Sequence, residues 1–133
     1  MDNCDVVRRF AKEAWDSGDR AVVDEVVHPE AVPPPGYDEP GPASWHAYID
    51  HVRAAFTDYE TTIDDIFGHD DLVAVRWSAS GRHTGDLLGF PASGKRIRFT
   101  AVGMARLRDG QLVEYQGETM MLQLMEQIGA SPA

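Results

Sequence analysis

A predicted β-hairpin near the end of the chain constrains the fold more than any other part of the sequence. Two runs in which apolar residues alternate with small or polar ones, residues 96–107 and the run that starts at residue 112, flank a short connection. Its central residues, Asp109 and Gly110, favour a type I′ turn, in which both take a positive φ. A two-residue loop then places Arg108 opposite Gln111, and the register follows by counting outward.

This register predicts two unlike faces for the hairpin. One face carries small residues on the first strand and mostly polar residues on the second, through the pairs Ala101–Glu118, Gly103–Gln116, Ala105–Glu114 and, further out, Phe99–Met120. The pattern indicates either a solvated surface or a hollow with carboxylates in its wall. The other face carries residues that can pack, namely Val102, Met104, Val113 and Tyr115. A single β-bulge would exchange the two faces beyond it.

Length and composition narrow the class of protein. We expect the 133 residues to form one domain, 1–133, and the hydrophobic fraction of 43% fits a globular chain. No stretch approaches the roughly 20 apolar residues of a membrane span, and the N-terminal residues lack the pattern of a secretory signal. The net charge of −10 disfavours nucleic acid as a partner. Together with the lone Cys4, these features predict a cytoplasmic protein.

Hydrophobic periodicity predicts helices first and strands afterwards. Apolar residues at three- and four-residue steps indicate helices over 5–17, 19–27 and 44–56, with Ser44 as the N-cap of the third. A proline-rich segment, residues 33–42, is predicted to be a stiff surface loop or lid. Alternating patterns predict strands over 61–68 and 72–81, followed by the hairpin, a short helix over 121–128 and a frayed end from Gly129 to Ala133. This order predicts an α+β fold, with the helices packed on one face of an antiparallel sheet.

Several segments resemble one known family. Residues 83–95, from His83-Thr84-Gly85 to Gly94-Lys95, and residues 106–114 are similar to the SnoaL-like polyketide cyclases of the nuclear-transport-factor-like superfamily, as are residues 15–19, 54–58 and 124–129. The resemblance implies a cone-shaped barrel, in which a strongly bent antiparallel sheet wraps around helices and encloses a deep pocket. It also implies a homodimer formed through the convex face of the sheet.

The resemblance transfers incompletely to the catalytic positions. The family's aldol cyclases use an aspartate on the last strand, and alignment back from residues 127–129 puts Met120 there, while Gln116 stands where a tryptophan is usual. Glu118, two residues from Met120, is predicted to be the principal proton-transfer group, because an apolar pocket raises the pKa of a carboxyl. His83 is predicted to assist it. The predicted substrate-binding residues are Tyr37, Asp38, Phe56, Trp77, Gln116 and Met120.

These features predict a cofactor-independent cyclase or isomerase that acts by general acid/base catalysis on a polyketide-type or similar apolar small molecule. Two alternatives stay open: a non-catalytic protein that binds such a molecule, and an epoxide hydrolase or hydroxylase of the same fold. We predict no metal site, because the five histidines, the cysteine and the carboxylates show no recognised ligand spacing.

Overall fold

The computed structural model describes residues 2–129 of the chain. Within them, helix α1 (Asn3–Arg9) continues as a π-helical segment (Phe10–Asp16), and α2 (Arg20–Val26), α3 (Pro42–Ala55) and α4 (Met121–Ile128) follow. Four strands, β1 (Phe56–His69), β2 (Leu72–His83), β3 (Arg96–Arg108) and β4 (Gln111–Thr119), form one antiparallel sheet in the order β1-β2-β3-β4. The sheet curls around the helices, which confirms the predicted α+β class. None of the helices in this part of the chain is long and apolar enough to cross a membrane.

The predicted boundaries hold at the ends of the fold and fail in its middle. The terminal helix has the predicted bounds, whereas β1 begins at Phe56, directly after α3, and not at residue 61. Ser44 is not the N-cap of α3, because Gly41 occupies that position at a φ of 95° and Pro42 begins the helix. The Ser44 hydroxyl is buried and donates instead to the Glu39 carbonyl at 2.6 Å. The expected fraying concerns mainly residues 130–133, which lie outside the described residues.

The helices pack against the concave side of the sheet through a continuous apolar core. Val6, Phe10 and Val23 of the helices lie in one cluster with Val73 of β2 and Leu107 of β3. A second cluster, which includes Phe99 and Leu124, packs α4 against the other end of the sheet. The core thus occupies both ends of the concave side.

The hairpin turn has the predicted geometry. Asp109 and Gly110 adopt φ values of 51° and 75°, both in the left-handed region, and Arg108 pairs with Gln111. Both positive φ values are those that a type I′ turn requires. This part of the register prediction is confirmed.

One residue beyond the first two pairs, the predicted register is wrong. Leu107 pairs with Leu112, but Arg106 pairs with Glu114, so that Val113 is an extra residue on β4 and forms a β-bulge. Both Leu112 and Val113 are buried. Strict alternation would have turned one of these two apolar side chains outward, and the bulge allows both to stay inside.

The bulge exchanges the faces of β4. Beyond it, Ala101, Gly103 and Ala105 share the concave face with Thr119, Gly117 and Tyr115. The polar residues of β4 lie on the convex face, where Glu114 pairs with Arg106, Gln116 with Met104 and Glu118 with Val102. Of the two arrangements that the pattern indicated, the small residues do face a hollow, but Glu114 and Glu118 occupy convex-face positions.

The turn geometry predicts the cost of adding one methyl group to Gly110. A Cβ there would meet no atom within 4 Å, so the substitution tests only backbone strain at a φ of 75°. We expect Gly110→Ala to lower the free energy of unfolding by about 1 kcal/mol, measured by urea denaturation. The exposed neighbour offers a control, since Arg108→Ala should change it by less than about 0.5 kcal/mol. Equal losses in both variants would contradict the type I′ assignment.

Candidate active site

A cavity of about 520 Å³ lies between the helices and the concave face of the sheet. This volume falls in the range of small-molecule sites, roughly 300–1,000 Å³. Aliphatic residues from α1, α2 and the proline-rich loop contribute to its wall, which is otherwise dominated by the aromatic residues Trp15, Trp45, Tyr48, Phe56, Tyr59, Trp77, Phe99 and Tyr115. The arrangement suits a flat, largely apolar ligand.

Small residues on two neighbouring strands leave the space into which Tyr115 folds. Gly103 pairs with Gly117 across β3 and β4, and a Cβ on either glycine would collide with the Tyr115 ring. The phenol therefore lies flat across both glycines. Its hydroxyl oxygen accepts a hydrogen bond of 3.0 Å from Nε1 of Trp77, which stands on β2.

The tyrosines of the wall stay protonated at neutral pH. Burial raises the pKa of Tyr48, of Tyr59 and of Tyr115 above the ordinary value, and for Tyr59 the nearby Asp16 carboxylate raises the pKa further. The hydrogen bond from Trp77 opposes the effect of burial at Tyr115. Each neutral phenol keeps its hydroxyl hydrogen and can donate a hydrogen bond, for instance to a carbonyl oxygen.

Asp16 places a carboxyl group behind this wall. Its Oδ1 accepts hydrogen bonds from the Thr61 amide at 3.0 Å and from the Thr61 hydroxyl at 2.8 Å, while the buried Oδ2 has no partner among the described residues. Burial raises the pKa of Asp16 most, and Glu60 adds to it, whereas the bonds from Thr61 and the charge of Lys12 act in the opposite direction. Thr61 lines the cavity, whereas Asp16 is not among the lining residues.

Glu118 borders the cavity at the edge of the sheet but is not enclosed by it. Residues 114–119 all border the cavity, because β4 forms an edge of the sheet, but alternate residues of a strand face opposite sides. Glu118 is exposed and pairs with Val102 on the convex face. The carboxyl is therefore not buried in an apolar pocket, because the bulge at Val113 turns this position outward, and its role as the proton-transfer group stays a prediction.

The same bulge moves Gln116 to the convex face, where it is exposed and pairs with Met104. Met120, predicted to touch substrate, is 56% exposed at the N-terminus of α4, and its neighbour Met121 lines the cavity instead. Phe56 and Trp77 do stand in the cavity wall, as the sequence predicted.

His83 is fully buried at the end of β2 and holds a loop in place. Its Nδ1 accepts a hydrogen bond of 3.1 Å from the Ser93 amide and lies 2.9 Å from the Ser93 hydroxyl. Since Nδ1 is an acceptor, a neutral ring carries its proton on Nε2, which has no partner among the described residues. His83 is not among the residues that line the cavity, and it lies on the face of the sheet opposite to Glu118. Its catalytic role stays a prediction.

The proline-rich segment forms part of the wall, but not through the two residues singled out from the sequence. Residues 32–35 line the cavity. Tyr37 is half-buried and packs edge-on against Tyr48, with the ring centroids 6.0 Å apart, while Asp38 is exposed and outside the wall. Tyr37 thus supports a wall residue from behind.

The phenols in the cavity wall and the buried carboxyl behind it were not predicted from the sequence. The phenols of Tyr48, Tyr59 and Tyr115 occupy positions that read as ordinary packing residues. Asp16, at the end of a helix, reads as a local capping residue, and only its contact with Thr61, 45 positions away, reveals its burial. Across residues 2–129, no group of three or more His, Cys, Asp or Glu side chains is arranged to hold a metal ion.

Known proteins resemble the chain over nearly its whole length. The model of the SnoaL-like polyketide cyclase family matches residues 5–128. The aklanonic acid methyl ester cyclase DnrD of Streptomyces peucetius is 28% identical over 131 residues, which cover 94% of this chain and 89% of the relative. The counterpart DauD of Streptomyces strain C5 is 27% identical, with coverages of 94% and 80%.

Solved structures of the same fold extend the comparison. TsrD from Streptomyces laurentii superposes with a TM-score of 0.88 at 30% identity, covering 96% of this chain and 94% of that one. IdmH from Streptomyces antibioticus, named as a candidate polyketide cyclase, gives a TM-score of 0.82 at 30% identity, with coverages of 98% and 100%. The curled antiparallel sheet with helices on its concave side is therefore shared with these proteins.

The buried carboxyl predicts how stability depends on pH. Because the pKa of Asp16 is raised in the folded protein, its contribution to stability is fully present below the pKa of the unfolded chain, about 4. That contribution is lost as the pH rises through the folded pKa. Asp16→Asn removes this loss, so we expect the stability of wild type relative to the variant to fall as the pH rises from about 4 through the raised pKa of Asp16.

Urea denaturation of both proteins across this pH range measures the difference. Asp38→Asn, at an exposed carboxyl, serves as the control and should follow the wild-type curve in parallel. A constant difference between wild type and Asp16→Asn would show that Asp16 does not titrate as its burial requires.

Proposed function

The chain belongs to the SnoaL-like polyketide cyclase family, and we propose from this premise that it closes a ring in a polyketide-type small molecule inside the aromatic cavity. The observation that carries the proposal is the cavity itself, about 520 Å³ in volume and walled by aromatic rings and neutral phenols. The reaction requires a flexible carbon chain to be held in a folded conformation. A close-fitting apolar wall contributes to catalysis by reducing the conformations that the bound chain can adopt.

The wall also offers what ring closure needs electrostatically. When a carbon next to a carbonyl becomes nucleophilic, negative charge develops on the carbonyl oxygen. Neutral phenols are hydrogen-bond donors that can stabilise this charge, and they do so most effectively where water is excluded. Tyr48, Tyr59 and Tyr115 are the tyrosines in the wall. The carbon that loses its proton then attacks a second carbonyl carbon of the same molecule, and the resulting alkoxide takes up a proton. The product is therefore an isomer of the substrate, and the proposal needs no cofactor.

A matched pair of substitutions on one strand tests whether the cavity is the site. Ala101 faces the cavity and is 3% exposed, while its neighbour Val102 faces outward and is 55% exposed. We expect Ala101→Phe, which fills ligand space, to reduce turnover at least about tenfold, whereas Val102→Phe should retain most of it.

Two relatives are named for aklanonic acid methyl ester, so this ester is the first substrate to test. Chromatography and mass spectrometry would follow its conversion into a cyclised isomer of the same mass. Equal activity of both phenylalanine variants would place the reaction outside the cavity.

The side to which Glu118 points generates a second test. Because the register puts this carboxyl on the convex face, opposite Val102, we expect Glu118→Gln to retain turnover within about twofold of wild type. The variant keeps the shape of the side chain, so folding should not change. Loss of turnover in a folded variant would restore Glu118 as the proton-transfer group and contradict the orientation described above.

One observation favours a second candidate, a protein that binds an apolar ligand without transforming it. The carboxylates that border the cavity, Glu114 and Glu118, belong to the convex-face positions of β4, and both they and the bordering His51 are exposed, so the described lining contains no buried carboxylate or imidazole base. A binding protein would take up the same ester in a 1:1 complex and release it unchanged, and Ala101→Phe would then abolish binding alone.

We also propose that the chain forms a homodimer through the convex face of the sheet. Val102 and Met104 are 55% and 48% exposed there, and apolar groups in such a position favour contact with a second copy. Size-exclusion chromatography with light scattering would give the mass of the assembly.

A further inference from the structure

We propose that Tyr115 is the residue that orients the substrate, by donating one hydrogen bond of fixed direction to a carbonyl oxygen of a planar, aromatic ketone or quinone. The inference rests on the proposed function, because it assigns a role within the same cavity. It differs from the assignment made from the sequence, which placed Tyr115 on the face of the sheet that packs away from the hollow. It follows from three observations on the phenol and its neighbours.

The first observation is the hydrogen-bond inventory of the phenol. An indole N–H can only donate, so the 3.0 Å bond between Nε1 of Trp77 and the Tyr115 hydroxyl uses a lone pair of the phenol oxygen. The hydroxyl hydrogen is therefore left for another acceptor. The described residues offer none at hydrogen-bond distance, and Tyr115 lines the cavity. A ligand in the cavity is the natural acceptor.

The second observation is that the phenol cannot easily move. It lies across Gly103 and Gly117, which pair on adjacent strands and leave room for the ring but not for a Cβ. Trp77 is held in turn by Phe99, edge-on at a centroid distance of 6.0 Å. Two strands thus fix the ring, and a third fixes the direction of its hydroxyl. A donor that is already in position loses little freedom when a ligand binds.

The third observation concerns the chemistry of the acceptor. Neighbouring walls are aromatic rings, which favour a flat ligand. The hydroxyl is a neutral donor, which suits a carbonyl oxygen, and the bond that it accepts from Trp77 polarises it and strengthens its own donation. The group recognised is thus a carbonyl on a planar ring system, and Trp77 is a positioning residue.

Two probes of similar shape separate this hydrogen bond from packing. Anthraquinone-2-carboxylate carries two ring carbonyls, and anthracene-2-carboxylate has the same fused rings without them. We expect the wild-type protein to bind the quinone more tightly. Isothermal titration calorimetry on the full chain gives both dissociation constants, and their ratio is the measured quantity.

Tyr115→Phe removes only the hydroxyl. We expect it to raise the dissociation constant of the quinone about five- to thirtyfold and that of the anthracene less than about twofold. Trp77→Phe keeps an aromatic ring in the wall but frees the phenol to rotate, so the quinone should lose more affinity than the anthracene, and the ratio should fall by a smaller factor than in Tyr115→Phe. A purely structural role of Trp77 would weaken both probes equally.

Other outcomes overturn the inference. The first is the absence of a quinone preference in the wild-type protein. The second is a ratio of dissociation constants in Tyr115→Phe that equals the wild-type ratio, whether both constants change by the same factor or neither changes. If circular dichroism shows that Tyr115→Phe does not fold, Gly103→Ala decides, because its methyl group would collide with the Tyr115 ring and hydroxyl, force the phenol out of this position, and lower the ratio in a folded protein.

Failure of the proposed function is distinguishable from failure of this inference, since the binding ratio requires no turnover. A wild-type protein that shows the ratio but cyclises no polyketide keeps Tyr115 as a binding determinant. A protein that cyclises its substrate while Tyr115→Phe keeps the ratio refutes the role of Tyr115 alone.

Discussion

The edge strand β4 must satisfy two partners at once, and the shape of the cavity depends on how it does so. On one side it pairs with β3 in the hairpin. On the other, the Leu112 and Val113 carbonyls accept hydrogen bonds of 2.9 Å from the amides of His28 and Val32, which lead out of α2. Burying both apolar side chains beneath that connection requires an extra residue in the strand. The bulge that results rotates the remainder of β4 and turns Tyr115 toward the ligand space.

The interior of a barrel of this size could have been filled with side chains. Small residues on one pair of strands leave part of it open. Ala101 and Ala105 occupy concave positions of β3 where larger residues would close the space, and Gly103 between them leaves room for the Tyr115 ring. Empty apolar volume lowers the stability of a fold, because the lining atoms lose packing contacts. Such a hollow is retained at a cost to stability, and a ligand that fills it recovers those contacts.

The sequence predicted those features that depend on local chemistry or on an overall pattern. Asp109 and Gly110 encode their turn, the helices and strands follow their hydrophobic periods, and the small residues of β3 mark the hollow. The bulge was not predictable, because Val113 continues a run that is compatible with either register, and the preference arises from contacts with a segment about 80 residues earlier. An error of one residue then reversed Glu118, Gln116 and Tyr115 together, since side chains in a strand alternate.

The reversal makes electrostatic sense. A carboxylate turned into an apolar wall loses its hydration and must either find a partner or take up a proton, whereas a phenol stays neutral at physiological pH without compensation. The carboxylates of β4 remain hydrated on the convex face. Asp16 lies on the concave side, and burial raises the pKa of its carboxyl. This carboxyl accepts two hydrogen bonds from Thr61. The cavity thus combines low polarity with donors of fixed direction, the conditions under which a single hydrogen bond discriminates most strongly between ligands.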